Sequence, residues 1–281
     1  MGKPIPLSST FFFQNIAFRK IDGIPPLVGH KNFRRKSGAR AEQKEKKYRA
    51  TQYRKIFFRD HCTLPLMKDV PVLYEDTDIL VINKPCGIPV QGGAGISVCI
   101  TDILARQTGS PVFPVHRLDR DTAGILLVAR NAAMASRLTR AVGSKDVIKR
   151  YTAICAGKPP RGEGCITLPV GKGRDRKPAE TTYRLLEAVD GYSLLQAELG
   201  TGRTHQIRIH FASVDCPILA DDKYGDFPLN RRVRRDHDIR KLQLAATEIV
   251  LPPGFGIPER FSIPLPPHMA DCAAVLGFQP R

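Results

Sequence analysis

HRLDRDTAGILLVAR, residues 116–130, divides into two chemically unlike halves. From Gly124 to Ala129 the chain is apolar, short and rich in Ile, Leu and Val, and it follows a turn-like Asp-Thr-Ala-Gly. That pattern predicts a buried strand. The first half packs His116, Arg117, Asp119, Arg120 and Asp121 into six positions. Such polar density beside a buried strand puts ionisable groups at the edge of the core, where neighbours can hold a carboxylate in one geometry. Asp119 also has a plain structural reading, as a turn residue paired with Arg117 or Arg120.

Around this stretch the chain alternates strand and helix signals. Val70–Tyr74 and Ile79–Ile82 read as strands joined by the acidic turn Glu75–Asp78. Asn83-Lys84-Pro85-Cys86-Gly87-Ile88-Pro89-Val90 then forms an irregular loop, with Lys84 offered as a phosphate contact. Ser97–Gln107 reads as a helix capped by Ser97, with Ile100, Ile103 and Leu104 on one face. Asn131 can cap a helix running to about Ala141. Lys149–Ile154 alternates like a strand. Residues 157–179 read as an exposed loop rich in Gly, Pro, Lys and Arg. Ala179–Ala188 and Tyr192–Leu199 are strands around the turn Asp190-Gly191. In Gly200–His210 the sequence GTGRTHQIRIH has Thr204 placed to cap a helix of about ten residues, on which His205 and Arg208 share a face. Arg231, Arg232, Arg234 and Arg235 read as a solvated or phosphate-contacting loop. Leu242–Leu251 and Phe261–Leu265 read as strands and Pro267–Leu276 as a final helix.

Composition narrows the partners. The 281 residues carry a formal charge of +17 with 42% hydrophobic residues. That charge points to a polyanion, with RNA or DNA first and an anionic membrane surface second. No apolar run is long enough to span a bilayer, so no membrane partner is expected. The seven cysteines are odd in number and include no CxxC pair. This supports neither a disulfide framework nor a zinc site, and fits a reducing cytoplasm. His205 and His210 lie five apart, poor spacing for one metal.

Residues 1–66 differ from the rest. Residues 1–60 hold fifteen Lys or Arg against four Asp or Glu, a net of +11. From Lys31 to Arg59, Tyr48, Tyr53, Phe57 and Phe58 are interleaved with the basic residues, a mixture suited to phosphate contact and base stacking. The segment is expected to be a flexible or RNA-contacting basic extension, and residues 67–281 the globular domain. Met67 stands at this boundary and is an alternative start.

Three of these stretches together resemble the RluA-type pseudouridine synthases. HRLDRDTAGILLVA is similar to the family signature HRLDxxTSGxLLxA, departing at Ala123, where the family has Ser. Asn83–Val90 is similar to NKPxGxxV, and Gly202–His210 to GRTHQIRxH. The order agrees, and the resemblance spans residues 70–276. A further departure is Leu244-Ala245-Ala246, where the family commonly has Leu-His-Ala. No S4 RNA-binding pattern is found in residues 1–66.

The resemblance implies an α+β fold: a mixed, mostly antiparallel sheet with flanking helices. It implies isomerisation of uridine to pseudouridine in RNA, in large-subunit ribosomal RNA rather than tRNA, without cofactor or metal. Asp119 would be the catalytic carboxylate and Arg208 its partner, positioning it and favouring its charged form. Tyr151, in the stretch Lys149–Ala153 that is similar to the family's Lys-x-Tyr-x-Ala, would stack on the base or abut the sugar. Arg117 would help hold the uridine out of its stack. A hydrolase would need a second carboxylate and admitted water, and none recurs within the three motifs. An RNA-binding protein that had lost activity would have no need of Asp119, Tyr151 and Arg208 together.

Overall fold

Strand β4, Ala123–Ala129, is buried at all seven positions. A strand buried on both faces needs cover on both faces. Ile125 and Leu127 pack with Ile79, Val81, Leu138 and Val142 on one side. Leu126 and Val128 pack with Leu80, Ile82, Ile100, Ile103 and Leu104 on the other. Each such side chain contributes about 2 kcal/mol through removal from water. The computed structural model describes residues 69–144, 146–171 and 173–279. The expectations for the basic extension and for Met67 lie outside the described residues.

The elements follow in order: β1 Val72–Glu75, β2 Ile79–Lys84, α1 Ile100–Thr108, β3 Phe113–Pro114, β4, α2 Ala132–Gly143, β5 Ile148–Ala156, β6 Glu163–Ile166, β7 Thr181–Val189, β8 Tyr192–Leu199, α3 Gln206–Ser213, α4 Phe227–His237, β9 Leu244–Val250, β10 Arg260–Ser262 and α5 Pro267–Leu276. The sheet runs β1-β2-β4-β9-β5-β8-β7-β6, with β10 added to β9 and β3 to β4. The pair β4–β9 is parallel, and the others are antiparallel. The expected α+β class, with a mixed, mostly antiparallel sheet and flanking helices, is the observed one.

Several expectations change in detail. The first strand starts at Val72, because the side-chain amide of Gln107 takes both backbone groups of Val70: Val70 N donates to Oε1 at 2.9 Å and Nε2 donates to Val70 O at 3.1 Å. Helix α1 begins after Cys99 rather than Ser97. The Asp102 carboxylate accepts from the Cys99 backbone N–H and thiol, which closes the first turn. Residues 157–179 are not all loop, since β6 pairs with β7. The arginine run is helix α4 rather than a loop, with Asp226 Oδ1 accepting from Leu229 N at 2.9 Å as its cap. Asn131 caps α2 as expected, accepting from Met134 N at 2.8 Å.

The junction of the two halves of the sheet is tight. Ala123 and Gly124 of β4 sit beside Ala245 and Ala246 of β9. Gly124 has φ +112°, and a Cβ there would lie 2.1 Å from the Ala246 carbonyl oxygen and 2.6 Å from its nitrogen. Both partners are backbone and cannot swing away. Gly124→Ala is expected to destabilise the protein by at least about 3 kcal/mol through strain and overpacking. Gly109→Ala, at a left-handed helix end with open space, is expected to cost about 1 kcal/mol. Urea denaturation of the two variants checks the ordering.

Candidate active site

The turn that carries Asp119 joins β3 to β4. Leu118 is buried in the core, and Thr122 N donates to Asp119 O at 3.2 Å. His116 Nε2 accepts from Leu127 N at 3.0 Å. Burial, with help from Lys149, pushes the His116 pKa down to about 4, so the ring is the neutral acceptor this bond requires.

The loop after β2 is bound to the same turn. Lys84 is fully buried, and its Nζ donates to the carbonyls of Pro85, Arg120 and Thr122 at 2.8–2.9 Å. Burial pulls its pKa down to about 8, while Cys86, Asp121 and Asp119 act to raise it. Lys84 is therefore not the expected phosphate contact; its ammonium is spent on three carbonyls inside the protein. Gly87 N donates to Arg120 O at 2.9 Å, Arg120 Nε to Gly87 O at 3.0 Å, and the Cys86 thiol to Asp121 O at 3.0 Å.

From the far side comes the third motif. Helix α3 has eight residues and starts after His205, which adopts the left-handed region at φ +57°; Thr204 is not its cap. Gln206 locks this end, with Nε2 donating to Glu180 O and Thr181 Oγ1 and Oε1 accepting from Thr201 Oγ1 and Arg203 N. His210 is buried, its ring bonded to Thr181 Oγ1 and Leu168 O. Gln206 and His210 thus build the fold, while His205 and Arg208 turn toward Asp119.

Among the described residues, Asp119 has two ion-pair neighbours. Its Oδ2 lies 3.7 Å from Arg208 Nη1 and 3.8 Å from His205 Nε2. The plain reading, a pairing with Arg117 or Arg120, is not what the structure shows. Arg208 is itself held. Its Nε and Nη2 donate to Asp221 Oδ2 and Oδ1, each at 2.7 Å, and Nη2 also donates to Asp222 Oδ1 at 2.7 Å. This fork leaves Nη1 for Asp119. Burial lowers the Arg208 pKa, but the Asp221 hydrogen bonds and the surrounding carboxylates outweigh it and raise the net value. For Asp221 burial acts to raise the pKa. The bonds from Arg208 and from the N–H groups of Lys223 and Tyr224 overcome it, so the net value is lowered. His205 Nδ1 shares a hydrogen bond of 3.1 Å with Tyr224 Oη. Burial lowers the His205 pKa against the opposing pull of Asp119.

A cleft of about 460 Å³ opens over these groups. Asp119, Arg117, His205 and Arg208 line it, together with Pro89–Gly92 from the chain that follows β2. Arg117 is exposed at this surface. Tyr151 is only 7% exposed and is not among the lining residues. It lies in β5, paired in register with Ala246 of β9, and its phenol pKa is raised by burial and then by the Asp119 carboxylate. Of the four sequence-predicted residues, Asp119, Arg117 and Arg208 therefore meet in the cleft, and Tyr151 lies buried within the field of Asp119.

Four side chains of the site carry no role in the sequence reading: Asp221, which clamps Arg208, His205, which faces Asp119, and the cleft carboxylates Asp121 and Asp222. Asp221 lies thirteen residues beyond Arg208, and nothing along the chain itself ties the two together. The departures Ala123 and Ala245 prove to be Cα partners across β4 and β9, both buried. With both positions alanine, no buried hydroxyl or imidazole is left facing an apolar neighbour. No group of acidic, His or Cys side chains among the described residues could hold a metal ion.

The chain is similar to several known proteins. The profile of the RNA pseudouridylate synthase family matches residues 78–213, across all three motifs. Ribosomal large subunit pseudouridine synthase C of Rickettsia prowazekii is 36% identical over 194 residues, covering 63% of this chain and 64% of that protein. The chain thus spans under two thirds of that relative's length. An uncharacterised RNA pseudouridine synthase of Bacillus subtilis, YlyB, is 33% identical over 227 residues, covering 72% of this chain and 71% of that one. The solved structure of human RNA pseudouridylate synthase domain containing 4 shares the fold, with TM-score 0.65 and 24% identity over 84% of this chain and all of that one. On the Bacillus relative, which it covers by more than two thirds, the chain belongs to the RNA pseudouridine synthase family.

Proposed function

We propose that this protein isomerises uridine to pseudouridine in RNA, and that large-subunit ribosomal RNA is its substrate. The observation that carries the reading is the Asp119 carboxylate in an open cleft, faced by an arginine whose other donors are already committed. The printed names of the Rickettsia relatives support the ribosomal substrate. Free cysteines among the described residues suit a reducing compartment, and we place the reaction in the cytoplasm. No helix among the described residues is long and apolar enough to cross a membrane.

The reaction breaks the bond between ribose C1′ and uracil N1 and rejoins C1′ to C5 of the same ring. C5 loses a proton and N1 gains one, so electrons balance without a redox partner. Asp119 supplies the single charged group this needs: it attacks C1′, attacks C6, or removes the C2′ proton. Arg208 holds the carboxylate in place at no cost of reorganisation, because Asp221 and Asp222 orient its guanidinium before substrate arrives. Arg117, exposed at the cleft, holds the target nucleotide out of its stack. Tyr151, buried beside Asp119, backs the carboxylate from beneath with an apolar ring and keeps water from it on that side.

Asp119→Asn is expected to abolish new pseudouridine on an unmodified ribosomal RNA transcript, a loss of about 10⁴-fold or more. Chemical labelling with primer-extension stops reads this directly. Stops from the variant at the wild-type rate would remove Asp119 from the chemistry. Stops on a tRNA transcript alone would move the substrate. Release of free uracil would replace isomerisation by hydrolysis, for which Asp121 and Asp222 offer the further acid. Asp221→Asn, which keeps shape but turns an N–H₂ toward the guanidinium, is expected to slow the reaction about 100-fold. Asp222→Asn, at a carboxylate that is 67% exposed, is expected to slow it less than about tenfold. Single-turnover rates, with circular dichroism to confirm folding, separate the two.

A further inference from the structure

Helix α4 has two faces of opposite character. Its inner face is anchored. Val233 is buried and Leu229 packs on the same cluster. Asn230 Oδ1 accepts from Ala220 N at 2.9 Å, and Nδ2 donates to Asp221 O at 3.0 Å. The helix is therefore bonded to the residue that clamps Arg208, and Lys223 of the same loop lines the cleft.

The outer face carries Arg231, Arg232, Arg234 and Arg235, all exposed, headed by Phe227, which is 49% exposed. Phe227, Arg231, Arg234 and Arg235 follow the i, i+4, i+7, i+8 spacing of one helical stripe. Arg231 and Arg235 are four apart, Arg231 and Arg234 three apart. Like charges at these spacings oppose helix formation. The one acid on the helix, Asp236, pairs with its neighbour Arg235 and lies in the field of Arg232. Arg231 and Arg234 have no acidic partner among the described residues. The helix dipole favours cations in the last turn; Arg231 lies nearer the middle, beyond that benefit.

A self-repelling arginine stripe with an exposed ring at its head, built on a rigid helix beside the cleft, fits an external polyanion that also offers planar groups. We infer that the outer face of α4 is a docking surface for the RNA strand flanking the target uridine, with Arg231 and Arg234 on phosphates and Phe227 stacked on a base. The inference rests on RNA being the substrate and adds where its backbone runs.

The test measures binding of the full chain to a fluorescein-labelled, single-stranded 20-nucleotide RNA across a series of salt concentrations. Arg231→Gln with Arg234→Gln is expected to weaken binding about tenfold or more. It should reduce the slope of log affinity against log salt by about 1.4, the release expected for two phosphate contacts on a single strand. The double lysine variant should restore the slope. Phe227→Ala should lower affinity and leave the slope unchanged, since stacking releases no counterion. Helix content by circular dichroism guards against unfolding, and glutamine keeps good helix propensity. An unchanged slope in the glutamine variant overturns the proposal, and would assign the stripe to a non-RNA partner such as an acidic protein. The readout does not depend on catalysis. Wild-type protein that binds through α4 yet forms no pseudouridine would refute the isomerase reading and leave this surface standing.

Discussion

Two backbones approach without a side chain between them at Gly124 and Ala246, and much of the molecule depends on that contact. It is the parallel pair in the sheet, and it joins the β1-β2-β4 portion to the β9-β5-β8-β7-β6 portion. Ala246 is also the register partner of Tyr151. One row across three strands therefore runs from the end of the Asp119 turn to the buried tyrosine. The row needs small residues at its centre, and Gly124 and Ala246 supply them.

Positioning of the carboxylate comes from two buried charges used in different ways. Lys84 donates to three carbonyl oxygens and acts as a pin through the turn that carries Asp119. A desolvated ammonium with three acceptors is satisfied, whereas the same group with none would be expelled or neutralised. Arg208 is satisfied on two edges by Asp221 and Asp222 and presents the third to the cleft. The first charge fixes where Asp119 sits; the second fixes what it faces. Each is held before any substrate arrives, which is where a preorganised site gains its advantage over water.

The segment from Ala220 to Gly225 links these functions. It delivers Asp221 to Arg208, Tyr224 to His205 and Lys223 to the cleft wall, and its backbone is tied to α4 by Asn230. Ala220 takes a left-handed conformation at φ +56°, and a Cβ at Gly225 would meet Asp221 O at 2.5 Å. A loop so closely packed gives the cleft a rigid wall, and charge displayed on α4 is held at a constant place relative to the site.

By itself the amino-acid sequence determined the elements and the chemistry class. Alternation and apolar runs marked β4, β5, β8 and β9, Asn131 announced α2, three motifs singled out Asp119, Arg117 and Arg208, and the stretch Lys149–Ala153 singled out Tyr151. These are signals that a few neighbouring residues carry, because strand and helix periods are local. Only the tertiary structure decided that Lys84 points inward, that His205 reaches Asp119, that Asp221 holds Arg208, and that Tyr151 lies beneath the cleft rather than on its wall. It also showed that Ala123 and Ala245 are partners and that the arginine run is one face of a helix. The reason is the same in each case. A charge is exposed or buried, paired or free, according to what lies across the fold from it, and for Arg208 and Asp119 that neighbour is some ninety residues away along the chain.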